Sequence, residues 1–109
     1  MNNMGYNGEA PNLKDLIARL SGIHVTDRDK KRAVYVAGHL VKFVLGDKWD
    51  MLSEGQQKLL VKPSSNRLWN NYMQKRKNLG QSTKQDAKET IEEEIKVLKD
   101  YLVPKKQTL

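Results

Sequence analysis

The chain contains no cysteine, which excludes disulfides, thiolate nucleophiles and cysteine-ligated zinc together. Stability therefore has to come from packing. Histidine is almost as scarce: His24 and His39 are the two present, and neither belongs to an HExxH or His-rich spacing, so no metal site is expected. A single Phe and an aromatic content of 6% imply a lean core. No apolar run approaches the ~18 residues that a membrane-spanning helix requires. The opening MNNMGYNGEAP has neither the basic flank nor the apolar stretch of a secretory signal. An intracellular protein is expected. Catalytic signatures are missing as well: there is no Gly-rich phosphate loop, no GxSxG elbow and no Ser, His and Asp in a triad order. His39 falls inside an apolar segment, where a satisfied core histidine is expected rather than a general base. Neither enzymatic activity nor a cofactor is expected.

What the sequence does have is positive charge, and it is unevenly spread. The 109 residues suit one domain. Their net charge of +7 divides into −1 over residues 1–12, +3 over 13–52, +5 over 53–83 and zero over 84–109. A basic excess concentrated in one segment is the footprint of a polyanion-binding surface.

Hydrophobic spacing gives an all-α protein, a compact bundle of about five helices. Residues 1–11, rich in Asn and Gly, read as a flexible tail, residues 12–104 as the helical domain and residues 105–109 as a basic tail. Asn12 caps a first helix in which Leu13, Leu16, Ile17 and Leu20 form one face, ended by Ser21-Gly22. Thr26 caps a central helix from Asp27 to Leu45, stopped by Gly46. Its Val content suits a strand equally, but Ala33, Val36, Ala37, Leu40, Val41 and Val44 keep helical spacing over a length no ordinary strand has. Trp49, Met51 and Leu52 follow as an apolar knot expected to pack back on that helix. Ser53 and Gln56 form a capping box for a third helix, Glu54 to Val61. Lys62-Pro63-Ser64-Ser65 reads as a break, after which a fourth helix runs from Asn66 to Leu79 and stops at Gly80. A fifth helix, capped by Thr83, runs up to Pro104.

The stretch SSNRLWNNYMQKRKN, residues 64–78, holds no acidic residue. A short helix, a tight connection and a second helix dense in Arg, Lys, Asn and Gln resembles the general layout of a helix-turn-helix, whose second helix enters the major groove. In that layout Leu68, Trp69, Tyr72 and Met73 face the core. Asn66, Arg67, Asn70, Asn71 and Gln74 then read base edges, amides on adenine and arginine on guanine, while Lys75, Arg76 and Lys77 neutralise phosphates. Tyr72 is expected in the core, with a phosphate contact from its hydroxyl as the rival. The plain alternative is an amphipathic surface helix with a solvated polar face. A second basic cluster, Arg28, Lys30, Lys31 and Arg32, sits at the start of the central helix, where phosphates are readily accepted.

In the last helix Ile91, Ile95, Leu98 and Leu102 form a narrow seam. It serves packing within the chain or, alternatively, pairing with a second copy or a partner helix. The sequence thus points to a non-enzymatic nucleic-acid-binding protein, duplex DNA before RNA, acting through residues 64–78 with Lys30, Lys31 and Arg32. Two rivals stand beside it: a binder of RNA or of duplex shape that touches backbone alone, and a protein-interaction module built on the C-terminal seam.

Overall fold

In the computed structural model, residues 11–78 and 80–103 are described. Their elements are α1 (Leu13–Ser21), α2 (Lys31–Leu45), a 3-10 helix (Gly46–Met51), α3 (Glu54–Lys77) and α4 (Thr83–Leu102). There is no strand among the described residues, so the all-α expectation holds, with four α-helices rather than five. The expected tails, 1–11 but for Pro11 and 105–109, lie outside the described residues.

Local chemistry explains most of the boundaries. Asn12 caps α1 by accepting from the Asp15 N–H, and the Asp15 carboxylate accepts from the Asn12 N–H in return. Ser53 and Gln56 form the same reciprocal box at the start of α3. α2 begins four residues later than the sequence suggests. Asp27 is held in a turn, its carboxylate accepting from the His24 N–H and its own N–H donating to the His24 carbonyl. Asp29 then accepts from the Lys31 N–H, one of the orphan donors of the new helix. The N-cap position is thus Lys30, whose side chain caps nothing, with Asp29 just before it supplying an acceptor, rather than Thr26. α2 ends at Gly46, whose φ of 59° suits a residue without a Cβ. For α4 the cap is Ser82, accepting from the Gln85 N–H, and Thr83 is the first helical residue.

The main departure concerns the expected break. Glu54–Lys77 is one continuous helix of 24 residues with Pro63 inside it, so there is no helix-turn-helix pair. Proline withholds one N–H, the one that would meet the Leu59 carbonyl, but Pro63 and Leu59 are both exposed, so water can serve that group. The two serines that would have capped a new helix have other partners. Ser65 Oγ donates to the Lys62 carbonyl at 2.8 Å and Ser64 Oγ to Glu94 at 2.7 Å. Leu60, Ser64, Leu68 and Tyr72 recur every fourth residue across the proline, keeping one inward stripe continuous on both sides of it.

α2 is central, contacting α1, α3 and α4. Ala33, Val36, Ala37, Leu40 and Val41 are buried, as their spacing implies, against Leu16 and Leu20 of α1, Leu68 and Tyr72 of α3 and Ala87, Ile91 and Leu98 of α4. The apolar knot after α2 is divided: Trp49 packs on the core while Met51 is exposed. Gln57 of α3 ties this segment down through its side-chain amide, which donates to the Trp49 carbonyl at 3.0 Å.

Because Pro63 lies within a helix, replacing it restores a backbone hydrogen bond. Pro63→Ala is expected to raise the unfolding free energy by about 2 kcal/mol, measured by urea denaturation, because an interior proline costs about 3 kcal/mol relative to alanine while stiffening the unfolded chain. A turn at this position would give the opposite sign.

Candidate nucleic-acid interface

Because α3 continues through Pro63, its polar residues divide between two directions. The side toward α4 carries arginine and lysine. Glu94 of α4, 1% exposed, accepts from Arg67 Nε at 2.9 and 3.1 Å, from Arg67 Nη2 at 2.8 Å and from Ser64 Oγ. The guanidinium is held in its charged form first by that hydrogen-bonded carboxylate, which raises its pKa against the opposing effect of burial. Farther along, Asp86, 2% exposed, accepts from Arg76 Nη1 at 2.7 Å and from the Gln81 amide at 2.9 Å. Lys75 Nζ lies 2.9 Å from Glu93 at the edge of the same seam. Arg67, Lys75 and Arg76, expected to touch bases and phosphates, therefore each hold a carboxylate of α4.

Asn66, Asn70, Asn71, Gln74 and Lys77 are exposed, as expected. Asn66, Asn70, Gln74 and Lys77 follow spacings of four, four and three, which places them on one strip about 17 Å long, with Asn71 beside it. Leu68 and Tyr72 are buried and Trp69 and Met73 half-buried, so the inner face is the one expected. The rival role of Tyr72 fails: its hydroxyl is inside, donating to the Ser21 carbonyl at 3.3 Å, and burial raises its pKa.

The second basic cluster arrives beside this strip from α2. Lys30 Nζ stands 5.6 Å from the centroid of the Trp69 ring, a cation over an aromatic face. Lys31 is exposed at the first position of α2. Its backbone N–H is already engaged by Asp29, so the anion site expected at this helix end is partly filled by a side chain. Arg32 turns the other way, with Nη1 3.4 Å from the Arg19 carbonyl at the C-terminal end of α1, a favourable place for a cation. Gly22 lets it lie there, since a Cβ would overlap the guanidinium. Lys30 thus meets α3 at Trp69, Lys31 stays exposed at the helix start, and Arg32 turns toward α1.

The seam on α4 faces the domain. Ile91 and Leu98 are buried and Ile95 and Leu102 half-buried against the core, so the stripe packs within the chain. His39 is buried, its ring 4.7 Å from that of Tyr35 in an edge-on arrangement. Burial lowers its pKa, assisted by Lys42 and Arg19. It also lines a cavity of about 490 Å3 with Leu13, Leu16, Leu40, Phe43 and Ile95, to which α3 contributes nothing. No group of three or more His, Asp or Glu among the described residues is placed to hold a metal ion, and no described helix is long and apolar enough to cross a membrane.

Sequence reasoning missed the two buried carboxylates. A signal was available: Ala87, Ile91, Glu94 and Leu98 form a stripe at spacings of four, three and four, so Glu94 occupies a core position of α4 and needed a cation from a facing helix.

Arg67→Ala leaves Glu94 buried with Ser64 alone, and is expected to cost roughly 2–3 kcal/mol in urea unfolding, below the ~3–5 kcal/mol of a fully buried pair because the guanidinium is partly exposed. Exchanging both partners for apolar residues, Arg67→Met with Glu94→Leu, should cost less than either single change. A depressed His39 pKa means that the unfolded chain binds the extra proton. Stability is therefore complete above the ordinary value of 6.5 and declines as pH falls below it. Melting between about pH 7.5 and 5.5 should show this decline, and His39→Gln should flatten it over the same range.

Comparison with protein-family models, with curated proteins and with solved structures finds no match to this chain.

Proposed function

We propose that this domain is a binding protein for nucleic acid, duplex DNA before RNA, which meets its ligand with the outward strip of α3 and the start of α2. The observation that carries this reading is the position of Lys30 over Trp69. It brings the start of α2 against α3 at Trp69, nearly forty residues away in sequence, and Trp69 lies within a turn of Asn66 and Asn70. From Gly55 to Gln85 the chain has no acidic residue, so a phosphate backbone along α3 meets little repulsion from that helix itself. Lys62 and Lys77, both exposed, stand near the two ends of the strip. Amides between lysines suit a surface that holds backbone at its margins and base edges at its centre. An intracellular site of action follows from such a ligand.

The reading differs from the sequence expectation in its residues. Arg67 and Arg76 belong to the fold and Lys75 to the edge of the α4 seam, so removing them tests stability as much as binding. The discriminating variant is Lys30→Ala, Lys31→Ala and Lys77→Ala together. Wild-type protein should bind labelled duplex DNA with an affinity that falls steeply with salt. The triple variant should lower the slope of log K against log salt by up to about 2.7, at about 0.9 per lost phosphate contact, while losing no more stability than the roughly 0.5–1 kcal/mol of one exposed cation–π contact. Unchanged affinity and slope in the variant would refute this surface.

A further inference from the structure

Resting on that reading, we infer that the α3 strip reads adenine in the major groove of duplex DNA and therefore prefers A·T over G·C sites. Of the side chains that recognise base edges, arginine is the usual reader of guanine, through O6 and N7, while asparagine and glutamine pair with adenine through N6 and N7. The fold separates these two chemistries on a single helix. Both α3 arginines are committed to buried carboxylates, Arg67 to Glu94 and Arg76 to Asp86. What remains outward between Asn66 and Gln74 is amide: Asn66, Asn70 and Gln74 on the strip and Asn71 next to it, all exposed. The lysines of α3 lie outside this interval, Lys62 before it and Lys75, paired with Glu93, and Lys77 after it, while Lys30 of the α2 start is engaged over the Trp69 ring.

The spacing is compatible with successive base pairs. Eight residues from Asn66 to Gln74 advance about 12 Å along the helix, the height of three to four stacked pairs at about 3.4 Å each. The groove also selects the nucleic acid. A B-form major groove admits an α-helix, whereas that of A-form RNA is too narrow for side chains to read. The inference therefore commits to duplex DNA.

The test uses the full chain and three labelled duplexes of about twenty base pairs at one salt concentration. The first alternates A·T pairs, the second holds G·C pairs alone, and the third repeats the first with 7-deazaadenine, which keeps pairing but deletes the N7 acceptor. Binding about tenfold tighter to the first than to the second is expected from one good bidentate contact. That preference should disappear on the 7-deaza duplex and in a variant carrying Asn70→Ala and Gln74→Ala, whose melting should match wild type because both residues are exposed. Equal binding to the A·T and G·C duplexes would overturn the inference and leave the functional reading standing. A preference that survives 7-deazaadenine would overturn it also, as readout of shape or of the minor groove. Absence of binding to all three at low salt would overturn the functional reading itself.

Discussion

A carboxylate with 1% of its surface exposed, Glu94 in the middle of α4, is the constraint from which much of this structure follows. Removing a charge from water costs several kcal/mol unless partners replace the lost hydration. Arg67 and Ser64 do so from α3, with a forked guanidinium contact and a hydroxyl. Such a contact has one workable geometry, so it sets the rotation of α3 about its own axis. With Arg67 turned to α4, the helical period turns Asn66 and Asn70 away by about 100° and 60°, toward solvent, while Gln74, two turns beyond Arg67 on nearly its own face, is exposed as well. Asp86 with Arg76 fixes the same rotation nine residues farther along α3, near its end. The polar seam and the outward strip are thus two consequences of one orientation.

This orientation depends on α3 being unbroken. Had the chain turned at Pro63, residues 64–78 would form a separate helix, free to adopt another angle and to present its arginines. Continuity makes Leu60, Leu68 and Tyr72 parts of one inward stripe, with Ser64 as the small residue between them where α4 approaches. Proline is accommodated because its missing N–H falls on the exposed side, while serine hydroxyls find acceptors within the turn and across the seam.

Much of the fold was legible from local chemistry. The cap at Asn12, the capping box at Ser53, the stop at Gly46 and the inner faces of α1, α2 and α4 depend on residues within a turn or two of one another, and that range is visible in sequence. Three features were not. The later start of α2 goes with Asp27 being held in a turn with His24 and Asp29 accepting from the Lys31 N–H, local choices that propensity alone does not decide. The passage through Pro63 depends on support from packing on either side of it. The pairing of Arg67, Lys75 and Arg76 depends on α4, many residues distant, although Glu94 within an apolar stripe announced that some cation had to face it. For the candidate site the consequence is selective: the amides and Lys30, Lys31 and Lys77 keep the exposure expected of them, while the arginines belong to the fold.

The most direct test of this division is an NMR titration of isotope-labelled protein with duplex DNA at low salt, following side-chain resonances. The account predicts that the amide groups of Asn66, Asn70 and Gln74 and the ammonium of Lys30 shift as DNA is added, while the Nε–H signals of Arg67 and the guanidinium of Arg76 stay in place against Glu94 and Asp86. Shifts centred on the two arginines, with the amide strip unmoved, would contradict it.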